Sequence, residues 1–322
     1  MSEFIRKAKA VMIGHAVGDA LGVPVEFRTR EYLEKNPIND MIGYGTHSVP
    51  KGTWSDDTSM SLCALKSFEK GKIDYNDIMR NFGKWFYYSQ FTATNEMFDV
   101  GNTCGKTIHR FFKERYPYNK CGLSDEYSNG NGSLMRIHPF TLYLIYKNSK
   151  KISLNHIQCI SEASALTHSH ARSRVACIIY SFILWELIEN PSKESIKRAL
   201  ENVKMIYVHY SVSWGTHIDE YKELKSFHRL FEGIEKIDGS LIKSDGYVVN
   251  TLEAAVWCLL TTNSYKECVL KAVNLGDDTD TTAAVAGGLA GALYGYDEIP
   301  EEWRNTLIKK EYIEELCEKA FN

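Results

Sequence analysis

The amino-acid sequence predicts an all-α protein, a single domain spanning residues 1–322 and built as a bundle of many short helices. Apolar residues recur with the helical period of 3.6 along nearly the whole chain. Strand-type alternation is almost absent, and residues 246–249 (Gly-Tyr-Val-Val) give the one hint of it. Hydrophobic residues make up 44% of the chain and charged residues 25%, which suits a large core without low-complexity segments or linkers.

The first predicted helix covers residues 3–22, where apolar positions follow helical spacing. A loop rich in proline and glycine follows and ends at Ser55. Ser55 is a favourable N-cap, and it leaves Asp56 and Asp57 in the first turn of the next helix, where the helix dipole favours negative charge. The helical patterns in this half of the chain lie at residues 56–70, 75–89, 103–114, 133–147 and 153–166.

The second half of the chain continues the helical pattern, at residues 171–189, 193–208, 217–235, 250–261, 264–274, 281–294 and 301–320. Asp278 and Asp280 are two residues apart and would not share a face of a regular helix. They converge on one point if the chain turns into its helix there. Gly276, just upstream, provides the backbone freedom for that turn.

Two acidic segments far apart in the chain have similar compositions. Residues 53–58 read Thr-Trp-Ser-Asp-Asp-Thr, and residues 276–281 read Gly-Asp-Asp-Thr-Asp-Thr. Carboxylate and hydroxyl oxygens are the ligands that hard cations such as Mg²⁺ and Mn²⁺ prefer. Each segment alone could also be a simple helix N-cap, but five carboxylates in two short loops repel each other without a counter-ion. We therefore expect both segments to form one site for a pair of divalent cations.

Small residues mark the two helices next to these segments. Gly14, Gly18 and Gly22 recur every four residues and so lie along one face of the first helix. Residues 283–292 have the same small-residue character. We expect these two helices to pair closely at the centre of the bundle, which would bring the two acidic segments together.

Three further segments are candidates for the site. Glu26 lies on a loop after the first helix, and residues 128–136 (Ser-Asn-Gly-Asn-Gly-Ser-Leu-Met-Arg) form a turn that runs into a helix. The amides of that turn could bind phosphate, although a plain turn with a helix cap explains the pattern as well. His168 and His170 have a spacing found in zinc sites, but most histidines in such positions form hydrogen bonds or lie on the surface.

Charge and cysteine usage exclude other classes of function. A net charge of −3 gives no electrostatic case for nucleic acid as a partner. The eight cysteines are scattered without a CxxC pair, as expected of reduced, buried thiols. The N-terminus lacks the apolar core of a signal peptide, and the most apolar tract, residues 283–294, is too short to span a bilayer. We expect a cytoplasmic, monomeric protein without membrane contact.

Together these segments resemble the ADP-ribosylglycohydrolase family, which includes the enzyme that reactivates dinitrogenase reductase. The matching strings appear in family order from residue 14 to about residue 295: GDALGVPVE, TWSDDT, SNGNGSLMR, THSHARS and GDDTDTTAA. Occurring together, the two acidic motifs are specific for this family. The resemblance implies an all-α bundle with a binuclear Mg²⁺ or Mn²⁺ centre in a central cleft.

The resemblance also assigns roles to individual positions. It places the metal ligands at Ser55, Asp56, Asp57, Asp278, Asp280 and Thr281. Glu26 matches a glutamate on a mobile loop beside the scissile bond, and Glu26 or Asp57 is the expected proton acceptor. The substrate-binding positions, which include the loop for the pyrophosphate and a nearby histidine, are Glu26, Ser128, Asn129, Gly130, Asn131, Gly132 and His168.

Three positions differ from parts of the family. Ser55 stands where many members have threonine and keeps the hydroxyl group. Asn129 stands where some members have an aromatic residue, so stacking on the distal ribose or adenine is not expected there. Asp277 often corresponds to glycine or asparagine, and we expect it to be peripheral.

The activity implied by the resemblance is hydrolysis of an ADP-ribosyl N- or O-glycosidic bond, with two cations that bind the ribose hydroxyls and orient a water molecule. The expected substrate is ADP-ribosyl-arginine on a protein, and the product is ADP-ribose. Serine-linked or other O-linked ADP-ribose is a second candidate substrate. Two different classes of protein also remain compatible with these residues: a non-catalytic, crystallin-like protein that binds ADP-ribose, and a two-metal phosphoesterase that also uses His168 and His170.

Overall fold

The computed structural model describes residues 2–147, 152–213 and 218–322, and within them the chain is an all-α single domain without a β-sheet. Two isolated bridges, Leu123 with His168 and Gly130 with Tyr247, are the β-type pairings of these residues. The helices are α1 Glu3–Gly22, α2 Arg30–Lys35, α3 Asp56–Phe68, α4 Tyr75–Tyr88, α5 Asn102–Phe112, α6 His138–Lys147, α7 Leu154–Ala165, α8 Ala171–Glu189, α9 Lys193–Ser213, α10 Ile218–Glu223, α11 His228–Phe231, α12 Val248–Leu260, α13 Tyr265–Val273, α14 Thr279–Tyr294, α15 Glu301–Thr306 and α16 Lys310–Ala320.

Helices α1 and α14 pack backbone against backbone at the centre of the bundle, as expected from their small residues. A Cβ atom on Gly14 would lie 2.5 Å from the carbonyl oxygen of Gly287, and one on Gly18 would lie 2.1 Å from that of Ala283. At Gly22 a Cβ would lie 2.3 Å from the Cα of Asp280. The end of α1 is therefore in direct contact with the start of α14.

The predicted helices differ from the observed ones at four places. Residues 301–320 do not form one helix, because the chain breaks between α15 and α16 with Lys309 in the left-handed region at φ 57°. The predicted helix at 217–235 begins outside the described residues at 217, and from Ile218 it is instead two short helices with 3₁₀ turns, where Gly233 at φ 95° precedes the turn at Ile234–Lys236. The predicted helix at 133–147 begins at His138, and the loop before Ser55 contains α2.

Three smaller expectations can also be compared with the structure. The strand hint at residues 246–249 was wrong, because Val248 and Val249 begin α12 while Tyr247 makes an isolated bridge. The eight cysteines are free thiols, and all except Cys159 are buried. Among the described residues, no helix combines the length and apolar character needed to cross a membrane.

Candidate active site

Carboxylates from both ends of the chain meet where α1, α3 and α14 come together. Oxygen atoms of Asp19, Asp57 and Asp280 all lie within 4.8 Å of one another, and so do those of Glu26, Asp278 and Asp280. Asp280 belongs to both groups and joins them into one cluster. The two acidic segments therefore form a shared site, with the geometry expected from the pairing of α1 and α14.

Asp19 fixes the turn that begins α3. Its carboxylate accepts hydrogen bonds from the backbone amide of Ser55 at 2.8 Å and from the amide and hydroxyl of Thr58 at 3.1 and 2.6 Å. Ser55 caps the helix, and its hydroxyl faces the amide of Asp57 at 3.4 Å. Asp19 was not among the predicted site residues. Its signal in the sequence is a single carboxylate next to Gly18, in an otherwise apolar stretch of α1.

A left-handed turn begins α14 and directs its two aspartates. Gly276 and Asp277 have φ values of 85° and 59°. The amide of Phe27 donates to the carbonyl oxygen of Asp277, and the amide of Asp277 donates to that of Arg28, both at 2.7 Å. The side chain of Asp277 is exposed, whereas Asp278 and Asp280 both face the cluster. This backbone pairing joins the loop that carries Glu26 to the turn that carries Asp278.

The cluster is electrostatically unfavourable as a set of bare carboxylates. Burial raises the pKa values of Asp56, Asp57 and Asp280 well above their usual range, and neighbouring carboxylates raise them further. Burial also raises the pKa of Asp19 to about 6. Both carboxylate oxygens of Asp57 are buried without a hydrogen-bond partner among the described residues. Such oxygens in an oxygen-only donor set fit a hard divalent cation.

The remaining predicted metal ligands lie at the same place. Asp56 is buried in the first turn of α3, and its strongest charge interactions are with Asp99 and Asp19. Thr281 is buried in the first turn of α14, where its amide donates to Asp280 at 2.9 Å.

Glu26 lies at one edge of the cluster, in contact with two residues that the sequence did not indicate. Its buried carboxylate forms a short hydrogen bond with Nε2 of His47, and oxygen and nitrogen atoms of Glu26, His47 and Asp99 lie within 4.8 Å of one another. Burial raises the pKa of Glu26 to about 7. His47 and Asp99 lie in irregular loops, where helical periodicity carries no information about side-chain direction.

The glycine-rich turn at residues 128–132 lies beside the carboxylate cluster. The Asn131 side chain donates to Asp278 at 2.8 Å, and the amide of Asn131 donates to Gly246 at 3.0 Å. Ser128 donates to Asp125 at 2.7 Å, and Asn129 accepts from Ser173 at 3.0 Å. These bonds fix the turn in place next to the predicted metal ligands.

His168 lies directly beneath this turn. A Cβ on Gly132 would be 2.9 Å from Cε1 of His168, so a larger residue than glycine does not fit. Burial, together with the charge of the buried guanidinium of Arg136, lowers the pKa of His168 to about 3. His168 is therefore neutral at physiological pH.

The two histidines of the candidate zinc pair have separate contacts. Nδ1 of His168 pairs with the Thr167 hydroxyl at 2.8 Å. His170 caps α8 by accepting from the amide of Arg172 at 3.1 Å, and its Nε2 lies 3.4 Å from Glu126. These contacts explain both histidines without a metal ion.

Comparisons with known proteins found relatives along the whole chain. A sequence model of ADP-ribosylglycohydrolases matches residues 1–322. The ADP-ribosylarginine hydrolase Tri1 of Serratia proteamaculans is 33% identical over 99% of this chain and 80% of the relative. The ADP-ribosyl-[dinitrogen reductase] glycohydrolase of Rhodospirillum rubrum is 31% identical over 94% of this chain and 91% of the relative. A solved ADP-ribosylglycohydrolase-related protein complex superimposes with a TM-score of 0.79 at 28% identity, covering 100% of this chain and 99% of that one.

Proposed function

The chain belongs to the ADP-ribosylglycohydrolase family, and we propose that it hydrolyses the bond between ADP-ribose and an arginine side chain of a modified protein, releasing ADP-ribose. The Serratia and Rhodospirillum relatives both act on ADP-ribosylated substrates by name, and the former is an ADP-ribosylarginine hydrolase. Membership makes the protein a hydrolase of ADP-ribosyl bonds. The arginine linkage is the specific part of the proposal.

The single observation that carries the proposal is the buried cluster around Asp57 and Asp280. Its oxygen-only donors and the two unpartnered oxygens of Asp57 fit divalent cations. The residues that would hold two Mg²⁺ or Mn²⁺ ions are Ser55, Asp56, Asp57, Asp278, Asp280 and Thr281. When bound, such ions supply positive charge that makes a water molecule more acidic and orients the ribose.

Glu26 and Asp57 are the residues proposed to accept the proton from the attacking water. A general base is most effective when its pKa lies near the working pH, and burial places that of Glu26 at about 7. Asp57 belongs to one group with Asp19 and Asp280, whereas Glu26 belongs to a group with His47 and Asp99 and to another with Asp278 and Asp280. The two candidate proton acceptors therefore lie in different parts of the cluster.

The acceptor side of the site, which is the part next to Glu26 and Asp99, favours a cationic leaving group. Glu26 and Asp99 lie there with a single imidazole between them, so negative charge exceeds positive charge. A guanidinium matches that excess, and its planar shape suits stacking on an aromatic ring such as that of Phe98, whose centroid lies 5.2 Å from that of the His47 ring. This arrangement supports arginine over the neutral serine oxygen as acceptor.

The turn at residues 128–132 is proposed to bind the pyrophosphate. Its backbone lies beside the cluster, and Gly130, where an added Cβ would meet no atom closer than 3.7 Å, carries no side chain that would cover the backbone amides. His168 supports the turn from below as a neutral residue and so does not add charge to the site.

The substrate assay tests this function directly. The protein is incubated with Mg²⁺ and a protein that is ADP-ribosylated on arginine, and free ADP-ribose is measured. A parallel serine-linked substrate measures acceptor choice. Faster release of ADP-ribose from the serine-linked substrate would show that the preferred acceptor is O-linked and not arginine. Release of phosphate would indicate a phosphoesterase, and binding of ADP-ribose without turnover would indicate a binding protein.

A further inference from the structure

The loop formed by residues 43–50, here called the histidine loop, makes two hydrogen bonds to Glu26 and a third to Pro24, two residues before it. The amide of Thr46 donates to Pro24 at 2.9 Å, and its hydroxyl donates to the carbonyl oxygen of Glu26 at 2.8 Å. His47 then bonds the Glu26 carboxylate itself. A Cβ on Gly45 would lie 1.7 Å from the Pro24 oxygen, so the two backbones are in direct contact. Both the backbone and the side chain of Glu26 are thus fixed by one loop.

Two aromatic rings and two carboxylates surround the imidazole of His47. The ring centroids of Phe27 and Phe98 lie 6.2 and 5.2 Å from that of His47. The hydrogen bond to Glu26 raises the pKa of His47, and the charges of Glu26 and Asp99 raise it further. A hydrogen on Nε2 of the ring is donated to the Glu26 carboxylate. This hydrogen bond favours the ionised carboxylate and opposes the repulsion that Glu26 receives from Asp99 and Asp278.

We propose that His47 is the positioning residue of Glu26: its Nε2–H holds the carboxylate at the acceptor edge of the site, while Phe27 and Phe98 hold the ring. This inference rests on the proposed hydrolase function. His47 acts through Glu26 and does not need to touch the substrate. Its loss should slow turnover while leaving the metal cluster and the pyrophosphate turn intact.

Two variants of His47 and one control distinguish the role of its hydrogen-bond donor from that of its ring. His47→Phe keeps a planar ring and removes the hydrogen-bond donor. His47→Gln keeps an amide donor at about the position of Nε2. Ser48→Asn is the matched control, since Ser48 is exposed in the same loop and its φ of 54° is one that asparagine adopts readily.

The variants are compared with Mg²⁺ and the arginine-linked substrate. We expect His47→Phe to lower kcat by about 10- to 100-fold, the range seen when an orienting partner is lost. KM, the affinity for ADP-ribose and the Mg²⁺-induced rise in Tm should stay unchanged. His47→Gln should recover most of kcat, and Ser48→Asn should match the wild type. A loss of Mg²⁺ response in His47→Phe would instead make His47 part of the metal site and overturn the proposal.

A double variant tests whether His47 acts through Glu26. Two residues that work as one unit give non-additive losses. In a Glu26→Gln background, the change His47→Phe should therefore cost almost nothing more in kcat. A full loss from His47→Phe in that background would show an independent role and contradict the proposal.

Crystal structures of the wild type, His47→Phe and His47→Gln give a readout that does not depend on activity. We expect the Glu26 carboxylate to leave its position in His47→Phe and to keep it in His47→Gln. An unmoved carboxylate in His47→Phe overturns the inference. A wild type that releases no ADP-ribose contradicts the proposed function instead, and the position of Glu26 in the three crystals still decides the role of His47.

Discussion

At the scale of single residues, Asp57 shows why this cluster is suited to a metal ion. A buried carboxylate normally satisfies its oxygens with hydrogen bonds, as Asp19 does with Ser55 and Thr58. Asp57 has no such partner among the described residues, although it lies next to Asp19. Its two oxygens are costly to bury unless a positively charged group reaches them.

Replacing single carboxylates tests whether the two ends of the chain share one function. Asp57→Asn and Asp280→Asn each remove a charge while nearly keeping the shape of the side chain. We expect each to lower kcat by at least about 100-fold. The double variant should lose far less than the product of the two effects, because both residues serve one centre. Asp277→Asn is the control, since that side chain is exposed, and it should keep wild-type activity. Independent, multiplying losses would contradict a shared centre.

The ionisation of Glu26 predicts a pH dependence of stability in the metal-free protein. Its pKa is about 7 in the folded state against 4.5 in a model carboxyl, so the folded protein binds more protons between those values. The contribution of Glu26 to the free energy of unfolding is therefore complete below pH 4.5 and is lost as the pH rises through 7, by about 3 kcal/mol at most. The pKa of His168 is instead lowered to about 3, so its contribution to the free energy of unfolding is lost as the pH falls. Urea unfolding of wild type and Glu26→Gln isolates Glu26, and the wild type should become less stable relative to the variant between pH 4.5 and 7. A constant difference would show that Glu26 is not perturbed.

At the scale of helices, the close approach of α1 and α14 sets the distance between the two acidic segments. No side chain separates the helices at Gly18, where the added Cβ would lie 2.1 Å from the Ala283 oxygen. The hydroxyl of Thr279 also donates to the carbonyl oxygen of Gly22 at 2.8 Å. Asp19 and Asp280 are brought together by these contacts.

A single methyl group at this contact should therefore weaken both the fold and the site. We expect Gly18→Ala to lower the free energy of unfolding by about 3 kcal/mol and to weaken Mg²⁺ binding, since the helices must separate. Gly105→Ala in α5 is the control, because its added Cβ meets atoms no closer than 3.7 Å. That change should be neutral or stabilise by about 0.5–1 kcal/mol. Denaturant unfolding and Mg²⁺ titration of both variants measure the effect. If Gly18→Ala were as stable as the wild type, the centre of the bundle would have to accommodate the added methyl group without cost.

The sequence predicted the parts of this fold that depend on local pattern. Helical periodicity located most helices, and the spacing of Gly14, Gly18 and Gly22 predicted the central pairing, because small residues on one face have a direct steric meaning. The break at Lys309 was missed, since a left-handed lysine has no signal comparable to glycine. His47 and Asp99 were missed because tertiary contacts, not spacing, bring loop residues to Glu26.

At the scale of the whole molecule, the carboxylate cluster predicts that metal binding stabilises the protein. Ions that bind the folded state add RT ln(1 + [L]/Kd) to the free energy of unfolding, about 2.7 kcal/mol at 100 times Kd. We expect Mg²⁺ or Mn²⁺ to raise Tm and EDTA to abolish hydrolysis reversibly. The Asp57→Asn, Asp280→Asn double variant should show no such rise in Tm, and sodium chloride at equal ionic strength controls for screening. Full turnover in chelated protein would exclude the metal centre.

The pairing of α1 with α14 has a consequence for synthesis on the ribosome. Helix α1 emerges before α14, the helix that covers its glycine face. Until α14 has been synthesised that face stays uncovered, and the carboxylates of Asp19 and Asp57 have no Asp280 beside them. Contacts between segments so distant in sequence form slowly, because a long loop must close first. Incomplete chains that end before α14 cannot assemble the site, so activity can begin only after α14 has been synthesised.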